Sequence, residues 1–185
     1  MDCTLKNLIL ELLNSNRVMA IATNRPDGWP QTTIVGYVND GFLLYSFVAR
    51  NSQKYGNIQR DPRVSIAIGR DWQDPLQIKA LSLAALASEV IDQNELNYVA
   101  KLRLERYPEF ASLKSPRVEG SPLSRIAPLP PTGDVVLLRL TPELFSVLDY
   151  SRGFGHSDLV AFSGHDLNVH LHTAQHLWNG QREPE

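Results

Sequence analysis

Short apolar runs broken by tight turn signals constrain this chain more than any other feature. Arg17 to Thr23 is a nearly continuous apolar run, as expected of a strand covered on both faces. Pro26-Asp27-Gly28 follows: Pro presets φ, Asp can bond its own backbone and Gly accepts positive φ. Thr32 to Val38 reads as the returning strand, and Asp40-Gly41 makes a tight hairpin into Phe42 to Val48. Turns this short can join only antiparallel strands, because a parallel pair needs a crossover of about a dozen residues or more. The three segments therefore predict an antiparallel meander. Val64 to Ile68 is a further strand, with Val64, Ile66 and Ile68 on one face. Leu76 to Ile91 is a long one; its alanines and leucines also suit a helix, but Asp92 with Glu95 three residues later marks a fresh helix start at its end. Val135 to Leu140 and Leu144 to Tyr150 add two strands around a Thr141-Pro142 corner. Six or seven strands with hairpin connections predict a mainly β fold with peripheral helices, an antiparallel barrel and not a doubly wound parallel sheet. No Gly-x-Gly-x-x-Gly follows any strand, so a dinucleotide fold has no support.

Helices fill the remaining segments. Leu5, Leu8, Ile9, Leu12 and Leu13 form one apolar stripe, capped by Asp2 or Thr4 and ended by Asn14-Ser15-Asn16. A short helix opens in Arg50-Asn51-Ser52-Gln53-Lys54 and must stop near Asp61, because Pro62 disfavours helical geometry before it. A third runs from Asp92 to about Tyr107 and halts at Pro108. Pro116, Pro122, Pro128, Pro130 and Pro131 mark an ordered surface connection. The expected organisation is a single domain over 1–160 and a C-terminal tail over 161–185.

Composition narrows the function. A chain of 185 residues suits one domain with a sizeable core. Eighteen Lys+Arg against 20 Asp+Glu argue against gripping nucleic acid or an anionic membrane. Nothing approaches the roughly 20 apolar residues of a membrane span, and the N-terminus lacks the basic start of a secretory signal. The lone Cys3 excludes an internal disulfide and a Cys-rich zinc site. A cytoplasmic protein is expected.

The best local candidate for chemistry is Arg50 to Lys54. Ser52 at a helix cap offers a hydroxyl beside unpaired backbone N–H groups, and a helix N-terminus favours an anion. Lys54 and Arg50 place two cations around the same point, a phosphate cradle. On spacing alone, a capped surface helix with solvated basic residues is the simpler reading.

Its neighbours shift that balance. Gln31-Thr32-Thr33-Ile34-Val35, Gly41-Phe42-Leu43-Leu44-Tyr45-Ser46, Ser52-Gln53-Lys54 and Asp61-Pro62-Arg63-Val64 occur in that order. With this ordered set the sequence resembles the pyridoxamine 5′-phosphate oxidase-like superfamily, the flavin-binding split β-barrels, well over residues 14–91 and loosely elsewhere. The resemblance implies a homodimer with two FMN sites in the interface. It implies that the backbone of Thr33, Ile34 and Val35 runs along the edge of the flavin ring and that Tyr45 and Ser46 line the cofactor. It further implies that Ser52, Gln53 and Lys54 hold the phosphate, and that Gln77, on the long later strand, reaches the flavin of the partner subunit. Two departures stand out: an arginine common on the second strand is Thr33 here, and the phosphate-binding arginine is Gln53. Arg50 is then expected to supply the lost charge from across the loop. Tyr150-Ser151-Arg152-Gly153-Phe154-Gly155-His156 shows no match to the tryptophan- and arginine-rich end of the oxidase proper, so that activity is not implied. The function implied is a flavin-dependent oxidoreductase acting on a small molecule, with a nicotinamide nucleotide as partner and no side-chain acid or base assigned. A flavin- or haem-binding protein without turnover and a deazaflavin-dependent reductase are the alternatives.

All five histidines lie late, at His156, His165, His170, His172 and His176. His172 and His176 would share a helix face, with His170 close by, as a metal or haem site requires. No acidic partner falls in the spacing, so they read as a polar, mobile tail and no metal site is assigned. Trp29 and Trp72, beside turns, read as partly buried packing aromatics, and Cys3 lacks a base that would make it a nucleophile.

Overall fold

The computed structural model describes residues 3–111, 134–162 and 170–176. Helix α1 (Cys3–Ser15) buries Leu5, Ile9, Leu12 and Leu13, the stripe its spacing predicts. Asn16 ends it by donating from Nδ2 to the Leu12 carbonyl at 2.8 Å. Strands β1 (Val18–Asn24), β2 (Pro30–Gly36), β3 (Val38–Asp40), β4 (Leu43–Ala49), β5 (Arg63–Gly69), β6 (Lys79–Glu89), β7 (Val135–Asp149), β8 (Ser157–Phe162) and β9 (His170–His176) make one antiparallel sheet. Helices α2 (Gln53–Arg60) and α3 (Gln93–Arg106) are inserted between strands. The order β2-β1-β5-β6-β7-β4-β3, with β8 and β9 branching from β7, is the expected split barrel.

The meander is interrupted. The run predicted as one strand over 32–38 breaks at Tyr37: β2 stays on β1, with Ile21 opposite Thr33, while β3 pairs with β4, Val38 opposite Tyr45. The break is fixed from inside. The buried Tyr37 hydroxyl donates to the Leu13 carbonyl at 2.8 Å, and its amide donates to Arg17 O at 3.2 Å. Beyond the break β4 pairs not with β2 but with β7, Phe47 opposite Leu137.

The two strands expected around Thr141-Pro142 are one, β7, fifteen residues long. A proline is tolerated because β4 covers β7 only to Leu140 and β8 only from Leu144, and because β7 itself bulges there, its Glu143 left without a partner between Pro142 opposite Ala85 and Leu144 opposite Ala84. A missing N–H costs little where the ladder is already interrupted. The sheet also runs past residue 160. β8 extends to Phe162, and 170–176 forms β9, with Thr173 opposite Val160, where a mobile tail was expected. Backbone groups along an open edge gain ladder partners, which a histidine count does not reveal. His165 and the proline segment 116–133 lie outside the described residues.

The barrel interior is closed by α1 and by a triangle of Phe42, Phe145 and Phe162, with ring centroids 5.6–5.8 Å apart. Burying each such side chain contributes roughly 1.5–3 kcal/mol. A second core of Val38, Tyr45, Val90, Val99, Tyr107 and Leu137 lies beneath α3. Arg106 ties α3 to the end of α1, donating to Leu13 O at 2.6 Å and Asn16 O at 3.2 Å.

Candidate functional site

The break at Tyr37 creates the site. Strands β2 and β4 part at Gly36, where the buried Ser46 hydroxyl donates to the Gly36 carbonyl at 2.8 Å. From there the outer edge of β2 has no strand partner among the described residues. Its backbone N–H and C=O groups are available to a ligand, as obligatory hydrogen-bonding groups must be satisfied by something. Thr33 and Val35 share the face of Ile21 and Met19, which are core residues. Ile34 faces outward and is 68% exposed. The Thr33 Oγ1 atom is buried without a hydrogen-bond partner among the described residues.

Helix α2 approaches this edge with its N-terminus. Ser52 is the cap: its Oγ accepts from the Tyr55 amide at 3.4 Å and donates to Ala49 O at 2.6 Å. Gln53, exposed, accepts on Oε1 from Gln31 Nε2 at 2.9 Å, which joins the start of α2 to β2. Lys54 is half-buried and has no hydrogen bond or ion pair among the described residues. A lysine with its charge unspent, one residue into a capped helix, is what an anion needs.

Two expected site residues are placed elsewhere. Arg50 does not lean over the loop: its Nη2 bonds Glu89 Oε1 at 2.8 Å and its Nη1 reaches the Tyr55 hydroxyl at 3.3 Å. Tyr55 donates to the other Glu89 oxygen at 2.5 Å. That hydrogen bond, helped by Arg50 and opposed by burial, holds the Glu89 carboxyl below its ordinary value. The nearest carboxylate has captured the guanidinium, leaving Lys54 as the cation of the loop. Gln77 is not on the long strand but ends a 3-10 turn over Pro75–Gln77, exposed, two residues before β6. The turn forms because Asp74 caps it, accepting from Leu76 N at 2.9 Å.

Tyr45 lines a cavity of about 350 Å³ between β3–β4 and the end of α3. Tyr37, Phe47, Arg103 and Tyr107 share its wall, with Gly36 at the end nearest the β2 edge. The Tyr45 hydroxyl donates to Glu95 Oε1 at 3.0 Å, and Arg139 bonds the same carboxylate at 3.2 Å. Burial first, then that hydrogen bond, holds the Tyr45 phenol far above its ordinary range, so it stays protonated. The Arg103 guanidinium lies 4.8 Å from the Phe47 ring centroid, and burial pulls its pKa down. None of Tyr37, Phe47, Arg103 or Tyr107 was singled out from sequence. The aromatic spacing of β3–β4 was visible, but the contribution of α3 depends on packing.

Two other sequence features settle elsewhere. His156 is buried against Asp158 at 3.2 Å, beside Arg152 at 2.7 Å from the same carboxylate oxygen, so it secures the β7–β8 turn. Trp29 is 71% exposed at the β1–β2 turn, not partly buried, because Asp27 Oδ1 accepts its amide and Gly28 takes φ +85° there.

A profile of the pyridoxamine 5′-phosphate oxidase family matches residues 5–146. No curated protein matches the sequence. Similar solved structures include General Stress Protein 26 from Bacillus anthracis, 20% identical with a TM-score of 0.59, covering 85% of this chain and 98% of that one. The haem-binding protein from Mycobacterium smegmatis is 20% identical with a TM-score of 0.65, covering 87% of this chain and 59% of its own. The haem storage protein HutZ from Vibrio cholerae is 24% identical with a TM-score of 0.55, covering 73% and 87%. At these identities the likeness shows the fold. Among the described residues no helix is long and apolar enough to cross a membrane.

Proposed function

Because the chain belongs to the pyridoxamine 5′-phosphate oxidase family, we propose that it binds FMN in the split between β2 and β4 and acts as a flavin-dependent oxidoreductase on a small molecule, with a nicotinamide nucleotide as partner. The observation that carries the reading is the unspent charge of Lys54 at the capped N-terminus of α2, held against the free edge of β2 by the Gln31–Gln53 hydrogen bond. The residues fit the group. Ser52, Gln53 and Lys54 would hold its phosphate, and the edge at Thr33, Ile34 and Val35, beneath which Thr33 Oγ1 lies buried without a partner among the described residues, would offer backbone donors and acceptors to a ring. FMN supplies hydride transfer when bound; the protein orients the ring and tunes it by hydrogen bonds. Ser46 and Tyr37 keep the split open by fixing the break between β2 and β3.

We propose a homodimer as the working form. Gln77, exposed on its turn, is the residue proposed to contact the second copy's site. Haem is the second reading, favoured by two structurally similar proteins that bind or store it. The absorption spectrum of the purified protein, after incubation with FMN or haemin and gel filtration, separates the two. Retained flavin bands support the proposal, and a retained Soret band with flavin washed out replaces it.

A further inference from the structure

Asn57 is 3% exposed in the middle of α2, where an asparagine weakens a helix unless its amide is used. Its Nδ2 donates twice, to Thr23 Oγ1 at 3.0 Å inside the barrel and to Gln31 Oε1 at 3.0 Å on β2. Gln31 then donates from Nε2 to Gln53 Oε1 at 2.9 Å. A side-chain amide has one oxygen and one N–H₂ group, so the run has a direction. Asn57 occupies the oxygen of Gln31, which turns the Gln31 nitrogen toward Gln53. That in turn occupies the oxygen of Gln53 and leaves its nitrogen with no hydrogen bond among the described residues.

We infer that Asn57 is a positioning residue: it sets the direction of an amide relay through Gln31 that turns the Gln53 N–H₂ outward as a neutral phosphate donor. The inference rests on the FMN reading. It gives Gln53 a role at the position where the resemblance implies an arginine. A freely rotating Gln53 would present its carbonyl oxygen to the anion about as often as its nitrogen, and the relay removes that choice. Because the last two members are half-buried and exposed, the relay can be broken without opening the core.

The test is a fluorescence titration of the full chain with FMN and with riboflavin, which lacks the phosphate. Gln53→Ala and Gln31→Ala are each expected to weaken FMN about threefold to tenfold, the range of one hydrogen bond, and to leave riboflavin unchanged. The double variant should be no weaker than Gln53→Ala alone, since both remove the same donor. Asn57→Asp replaces the donor by an acceptor, which reverses the relay and points the Gln53 oxygen outward. It should weaken FMN more than Gln53→Ala does, and adding Gln53→Ala to it should restore part of the loss. Additive losses in the double variant, or equal losses for both ligands, overturn the relay while leaving the FMN site standing. Wild-type protein that binds neither flavin overturns the reading on which the relay rests. If Asn57→Asp fails to fold, the Gln31 and Gln53 variants decide alone.

Discussion

In the proposed site Lys54 is the residue assigned to the phosphate, because Arg50 is committed to Glu89 and Tyr55. A charge-assisted hydrogen bond contributes about 1.5–3 kcal/mol. Lys54→Ala should therefore weaken FMN roughly tenfold or more in a fluorescence titration, and riboflavin hardly at all. Ser52→Ala should cost less, because the Ser52 hydroxyl already donates to Ala49 O and its loss removes only part of a helix cap. Equal losses for both ligands with Lys54→Ala make the loop an ordinary surface helix. Glu89 answers to pH. Its carboxyl is held below its ordinary value in the fold, so its contribution is fully present above the unfolded value of about 4.3 and is lost as pH falls through the lower folded value. Thermal melts of wild type and Glu89→Gln should differ most above pH 5 and converge in acid; a gap that widens on acidification contradicts the pairing. The positions of Ser52, Gln53 and Lys54 on a capped helix were legible in the sequence, since capping is local chemistry. The fate of Arg50 was not, because its carboxylate lies 39 residues away on another strand.

Among the elements, α2 and the β1–β2 turn make opposite use of glycine. Gly56 is exposed within α2, and an added Cβ meets nothing within 4 Å. Gly56→Ala should stabilise the protein by roughly 0.5–1 kcal/mol in chemical denaturation. Gly28 sits at φ +85°, so Gly28→Ala should destabilise by about 1–2 kcal/mol despite open space around it. The turn at Gly28 was readable from Pro26-Asp27-Gly28, because turn residues act over three positions. The break between β2 and β3 was not, because it depends on Tyr37 reaching Leu13 across the core. The continuity of β7 through Pro142 was hidden for a similar reason: a proline reads as a stop until the neighbouring strands show where hydrogen bonds are already missing. Strand β9 had no apolar alternation to announce it.

At the scale of the whole molecule, the outer face of the sheet carries a row of small residues: Ala20, Ala67, Ser82 and Ser146 lie opposite one another across β1, β5, β6 and β7, with Ala67 and Ser82 exposed. Such a face suits close approach of a second copy, and sedimentation should give a dimer at micromolar concentration; a monomer that still holds FMN removes the proposed role of Gln77. On the proposed function the split between β2 and β4 holds FMN by its phosphate. Equilibrium titration of the wild-type protein with FMN, and then with riboflavin, tests it most directly. Saturation at one FMN per chain and markedly weaker riboflavin binding are expected. Equal affinity for the two, or displacement of FMN by haemin at stoichiometric amounts, contradicts it.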